Sequence, residues 1–424
     1  MTPRYSAPST PSDAATHKSA SRSVSLHEYL QQRSGSSLRR STSADLRPVV
    51  SLVAATNRFG FDLLQKLISD APTENLLISP ASIAAALAMT YNGAGDNTAR
   101  AMAGTLGVQG LTLAEVNQAH AALWADLAQA DPLVTFAAAN SLWARLGIPF
   151  LPDFMQRNRE FYQAEVATLN FSDPQAAPTI NAWVSEQTHG KITEIVSPPI
   201  NPLAILFLIN ALYFKGQWQQ QFDRAATQPG VFHGLADQPC DLMRQSGKFR
   251  YLAEPDFQAI SLPYGAGRFS LYVFLPAVKV GLAGFLARWL PQAADRWNEW
   301  MREFREQDGV IAMPRLKIAY SKSLNAALKA LGMAVAFDNT AADFSAMCPD
   351  ATGGLVFIAD VRHKTFMEVN EEGTVAAAVT KVEMWLRSLP PPPFEMVVDR
   401  PFFCAIRDDV TGAILFAGVV VSPE

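Results

Sequence analysis

Glu371-Glu372-Gly373-Thr374-Val375-Ala376-Ala377-Ala378-Val379-Thr380, then Lys381-Val382-Glu383-Met384-Trp385-Leu386-Arg387-Ser388-Leu389 and a proline run at 390–393, is the stretch whose reading decides this chain. An Ala-rich surface helix ended by prolines is one reading of it. Parity argues against that reading. Counted from Thr374, the even positions are Thr, Ala, Ala, Thr, Val, Met and Leu, all uncharged, small first and larger later. The odd positions carry Lys381 and Glu383. A strand has a side-chain period of two, so this segment can enter a sheet with one clean face buried.

The chain around it has 424 residues, 49% hydrophobic and only 17% charged, enough apolar material for a large core. A formal net charge of −4 argues against an electropositive nucleic-acid binder. The longest apolar stretch, residues 202–214, includes Asn210 and is shorter than the ~20 residues a membrane helix needs, so it reads as a buried strand. Cys240, Cys348 and Cys404 are too few and too scattered for a disulfide framework or a zinc site.

Charge divides the chain. Residues 1–48 hold seven basic and three acidic residues, sixteen Ser or Thr, and two aromatics, Tyr5 and Tyr29. Such a segment buries too little apolar surface to offset its ordering entropy, and is expected to be a disordered tail with at most a helical turn at residues 26–30. It has no apolar run of the secretory type, and Arg39-Arg40 lacks the apolar run of a twin-arginine signal. Its Ser/Arg-rich, acid-poor composition also fits an organelle transit peptide.

From residue 49 to 424 no linker or repeat interrupts the pattern. Leu52, Val53, Phe59, Phe61, Leu64 and Leu67 predict a helix over 51–68. Ser79-Pro80-Ala81-Ser82 opens a second helix that Asn92-Gly93 should cap, and Gly95-Asp96-Asn97-Thr98 opens a third. Further helices are expected over 113–127, 173–190, 281–304 and 323–331. Strands are expected over 134–145, 205–214, within 229–277 and within 357–421. Helices dominate the first half and strands the second: an α+β class in one interwoven domain.

No catalytic or cofactor motif stands out. His120, His189, His233 and His363 lack metal-ligand spacing, and no HExxH, GxSxG, phosphate-binding or calcium-binding loop is present. The reading is a non-enzyme without cofactor or metal.

Asn75 to Ser82 with Asn92 to Thr98, Ile180 to Val184 with Thr188 to Ile192, and Asn210 to Trp218 form a series of motifs that Met313 to Lys317, Leu331-Gly332-Met333, Asp399-Arg400-Pro401-Phe402 and Gly412 to Gly418 continue. In these motifs and their order, residues 49–424 resemble a serpin. Ser422, where the family has Asn or Asp, and the long proline-rich stretch after Ser388 depart from the pattern.

The resemblance implies helices packed around a large central sheet plus two further sheets, with an exposed reactive loop at about 373–393. It implies a monomeric inhibitor of serine proteases, acting outside membranes and without nucleic acid, in which a cleaved loop inserts into the central sheet. The reactive bond falls at Arg387-Ser388, which points to a trypsin-like, Arg-specific target. Trp385 and Leu386 would tune selectivity. The hinge runs through Glu371, Glu372, Gly373, Thr374, Val375, Ala376, Ala377, Ala378, Val379 and Thr380. Ser79, Ser82, Asn210, Trp218 and His363 carry over as the region where the sheet opens. The family implies the extracellular space; without a visible signal, the cytoplasm is the alternative. A carrier or chaperone of the same family and, from a different class, a hydrolase are the competing functions. The helix at 113–127 has no Lys or Arg, against activation by polyanions on that face.

Overall fold

A computed structural model describes residues 43–201, 204–349, 356–372 and 392–423. Its elements begin with α1 (Ser43–Asp70), β1 (Leu76–Ile78), α2 (Pro80–Tyr91), α3 (Asp96–Leu106), α4 (Leu113–Ala128), β2 (Val134–Arg145), α5 (Pro152–Tyr162), β3 (Glu165–Leu169), α6 (Ala176–Gln187) and β4 (Leu206–Gly216). They continue through β5 (Gln228–His233), β6 (Asp237–Glu254), β7 (Phe257–Tyr264), β8 (Phe269–Pro276), α7 (Gly281–Trp289), α8 (Ala293–Glu303), β9 (Arg305–Pro314) and β10 (Leu316–Ser323). The last are α9 (Asn325–Leu328), β11 (Asp360–Val369), β12 (Phe394–Val397), β13 (Phe402–Asp408) and β14 (Ile414–Val420).

The first helix begins ahead of residue 49. It starts at Ser43, so residues 43–48 belong to it and Pro48 lies inside it. The apolar stripe that marks a helix in sequence begins only at the buried Val49, so the residues before it carry no helical signal. The second helix starts as expected. The Ser79 side chain accepts the Ser82 N–H, and Pro80 occupies the first turn, where its missing N–H costs nothing. Its end falls at the expected place: Asn92 is the cap, in right-handed geometry, and Gly93 is a close-approach glycine. A Cβ there would sit 2.4 Å from the Met347 Cβ. The helix expected over 173–190 is shorter, Ala176–Gln187, and is followed by left-handed His189 and Gly190.

Among the described residues the strands form two sets. Five make one sheet in the order β10-β11-β4-β2-β3. The other nine follow the order β1-β14-β13-β8-β7-β6-β9-β12, with β5 also on β6. The two further sheets implied by the resemblance are thus continuous in hydrogen bonding. The 18-residue β6 pairs with β5 and β9 along its length and with β7 at its end. A core of apolar side chains from α1, α2, β8, β13 and β14 lies between the sheets, and a separate apolar cluster under α6 covers the outer face of the five-stranded sheet.

Candidate functional site

The centre of the five-stranded sheet is the seam between β4 and β11. Sequence dictates its character. Leu206–Gly216 is apolar almost throughout and buried at ten of its eleven positions, as a strand covered on both faces must be. β11 pairs with it in parallel from Asp360↔Phe207 to Met367↔Phe214. One row across this apolar sheet is polar: His363 on β11 opposes Asn210 on β4, and Asn210 opposes Asn140 on β2.

That row is a closed hydrogen-bond network. The Ser79 N–H donates to His363 Nε2 at 3.1 Å, which leaves the proton on Nδ1 to face Asn210 Oδ1 at 2.6 Å. The Asn210 amide donates to Ser82 Oγ and, at 2.6 Å, to Asn140 Oδ1. Thr365 Oγ1 donates to the Leu77 carbonyl at 2.7 Å and ties β11 to β1. Burial holds the His363 imidazole neutral, with its pKa brought down to about 3. Ser79, Ser82, Asn210 and His363 are therefore brought together; all four are at most 1% exposed. Sequence reasoning missed Asn140 and Thr365. A lone Asn in the apolar run of β2 was the available signal.

Trp218 lies apart from this network, where the chain leaves β11. Its ring stacks on Tyr264 with centroids 4.2 Å apart, and its Nε1 donates to the Asn370 carbonyl at 2.8 Å. Next to it, Glu371 is 3% exposed and accepts from Arg315 through both Nε and Nη2, at 2.6–3.0 Å, and from Thr227 Oγ1 at 2.7 Å. Burial opposes ionisation of this carboxyl, but the Arg315 and Thr227 hydrogen bonds outweigh it and hold the pKa below the usual value. Arg315 also pairs with Asp241, and Glu372 pairs with Arg224. Arg315 joins β9 to β10 at the exit of β11, and its role there is to clamp Glu371.

A strap of chain after α6 crosses the same seam on the outer face. Lys191 Nζ is 5.9 Å from the Tyr213 ring and 5.5 Å from the Phe366 ring, which are register partners across β4 and β11, and 3.6 Å from Glu368. Gly373, Thr374, Val375, Ala376, Ala377, Ala378, Val379, Thr380, Trp385, Leu386, Arg387 and Ser388 lie outside the described residues. Among those described, no cluster of His, Cys, Asp and Glu is arranged to hold a metal, and no helix is long and apolar enough to cross a membrane.

A family model described as Serpin (serine protease inhibitor) matches residues 54–423. Serpin B8 of Homo sapiens is 34% identical over 381 residues, 88% of this chain and 99% of that protein. The leukocyte elastase inhibitor of Bos taurus is 35% identical over 387 residues, 88% of this chain and 99% of that protein. Among solved structures, AtSerpin1 of Arabidopsis in its native stressed conformation aligns with a TM-score of 0.80 at 26% identity, covering 88% of this chain and 98% of that one. Human thyroxine-binding globulin aligns with a TM-score of 0.79 at 26% identity, covering 89% and 99%.

Proposed function

The chain belongs to the serpin family, whose members are mostly protease inhibitors rather than catalysts, and from that premise we propose that it is a single-use inhibitor of a trypsin-like serine protease. The protease attacks Arg387-Ser388 and forms an acyl-enzyme. The freed segment 374–387 then enters the seam between β4 and β11 as a new strand and carries the protease with it.

The observation that carries this reading is the direct parallel pairing of β4 with β11 beside a segment of uncharged alternate positions. The segment follows β11, so folding back makes it antiparallel to β11 and, since β4 runs the same way, to β4 as well. One parallel seam is replaced by two antiparallel ones, the slightly more stable kind. Fourteen residues at ~3.3 Å each span roughly 46 Å, most of the length of a sheet. About a dozen added backbone hydrogen bonds at ~1 kcal/mol net each favour insertion by on the order of 10 kcal/mol. Gly373 gives the hinge its backbone freedom.

Arg387 as bait requires an acidic primary pocket in the target. The name of the bovine relative favours a second reading, with Met384, Trp385 or Leu386 as bait for an enzyme with an apolar pocket. Likeness to thyroxine-binding globulin favours a third, a carrier. Parallel incubation with trypsin and with an elastase-type protease separates them. An SDS-stable complex with trypsin that releases a C-terminal fragment beginning at Ser388 supports the first reading, and a complex with the elastase-type enzyme alone, its fragment beginning at Trp385, Leu386 or Arg387, supports the second. Quantitative cleavage by both enzymes without a complex sinks both.

A further inference from the structure

A groove of about 680 Å³ is walled by the end of α1, by α7 and by the turn between β5 and β6. Its lining is mostly aliphatic, with Ile68 and Pro72 on one side, Leu282 and Leu286 on another and Leu235 and Val278 at the rim, and His233, Asp399 and Arg400 also line it. Leu235 is 78% exposed and Val278 80%, the two most exposed large hydrophobic side chains among the described residues. Two such residues rimming one apolar groove mark a surface that is covered by something.

Residues 1–42 contain one segment whose sequence suits it. Within the Ser/Arg-rich residues 1–42, Val24, Leu26, Tyr29 and Leu30 are the one apolar cluster. Ser25 and Glu28 stand at the spacing of a capping box, and Val24 and Tyr29 at that of a hydrophobic staple. Leu26, Tyr29 and Leu30 share one face at i, i+3 and i+4. These are start signals for a helix too short to persist alone, and they have a use only where its apolar face finds a groove.

Reach and charge permit the match. Residue 68 is 25 positions along α1 from Ser43, about 38 Å at ~1.5 Å per residue. Arg33 precedes Ser43 by 10 residues, so an extended linker spans up to ~33 Å at ~3.3 Å per residue, and the helical segment adds ~10 Å back to Leu26 at ~1.5 Å per residue, about 43 Å in all. Residues 1–42 carry six basic and two acidic residues, a net of +4 against a whole-chain charge of −4, so the remainder carries −8. The tail as a whole is therefore attracted to the body of the chain.

We propose that residues 25–33 of the chain's own tail dock in this groove as an amphipathic helical segment, with Leu26 and Leu30 against Leu235, Val278 and the α7 leucines. Hydrogen exchange read by mass spectrometry on the full chain tests it. The amides of residues 26–33 are expected to exchange at least about tenfold slower than their intrinsic rates. That protection is expected to vanish in Leu235→Asp/Val278→Asp, whose changes fall on exposed side chains, and in Leu26→Ser/Leu30→Ser. Intrinsic-rate exchange in the wild type overturns the proposal, as does protection that survives the groove substitutions. Protection that fades on hundredfold dilution also overturns it, because the segment would then sit on a second copy.

Discussion

Asn210 and His363 face each other across the parallel seam of β4 and β11, with the imidazole Nδ1 2.6 Å from the amide oxygen. The imidazole works there only in its neutral form, because Nε2 must accept the Ser79 N–H. Burial sets that state for His363 and separately for His120, both brought down to about 3. In the unfolded chain each returns to about 6.5. Between those values the unfolded state binds protons that the folded state refuses, so stability is full above about pH 6.5 and falls as pH drops. Each histidine adds up to ~1.4 kcal/mol per pH unit. Urea midpoints between about pH 6 and 5, before carboxylates titrate, should show this slope, and His363→Gln should flatten it by about half. An unchanged slope in the variant would falsify the assignment.

Glu371→Gln should loosen the exit from β11. The carboxamide keeps the size but loses the charge that both Arg315 nitrogens engage, a loss of about 1–3 kcal/mol at neutral pH. The carboxyl's folded pKa is depressed, so its contribution is present above its unfolded value and disappears as pH falls through the folded one. Thermal midpoints of wild type and variant should therefore converge in acid and differ at pH 7. A constant difference would show that shape, not charge, holds the exit.

Gly418→Ala should be severe for so small a change. A Cβ at Gly418 would lie 2.0 Å from the Leu76 carbonyl oxygen and 2.9 Å from the Leu77 Cα, both backbone atoms of β1. Overpacking of this kind costs about 1–3 kcal/mol or more. Gly110→Ala, with nothing within 4 Å, is the control and should shift the thermal midpoint little. Equal effects of the two would refute the packing argument.

Thr374→Arg tests insertion. An arginine at the first residue to enter the seam would be buried without a partner, slowing the step by several kcal/mol. The acyl-enzyme would hydrolyse first, and the inhibitor would turn over as a substrate. Titration of trypsin should give a stoichiometry of inhibition well above that of wild type; identical stoichiometries would rule out entry at this residue.

Arg387→Leu tests the target class. The leucine removes the guanidinium that an acidic pocket pairs, so inhibition of trypsin should fall by orders of magnitude. Activity toward enzymes with apolar pockets should rise, since no charge need then be desolvated. Undiminished inhibition of trypsin would move the bait to another residue.

Much of the core was readable because its periodicity is strong. β2 falls on residues 134–145 as expected, and the fully buried run of β4 stood out by its apolar length. The quieter elements were not readable. In α5 the buried face of Phe154, Asn158 and Tyr162 is broken by a polar residue, and in β3 only Val166 is buried, so neither shows an apolar stripe. Similarly, Ser79, Ser82, Asn210 and His363 came from motifs, whereas Asn140 entered their network only through register with Asn210, which no local pattern encodes. The clamp of Glu371 by Arg315 spans 56 positions and depends on β10 and β11 being neighbours.

The two flanks of residues 373–391 belong to different sheets. Glu372 follows β11 in the five-stranded set, whereas β12 resumes on β9 in the other, its Phe394 stacked 3.9 Å from the Tyr251 ring. Downstream, β13 and β14 are interior strands of that set and almost wholly buried. A peptide bond broken between the flanks therefore divides the chain without dividing the particle. The C-terminal piece becomes a tightly held subunit that co-migrates with the rest on a native gel and parts from it only in denaturant.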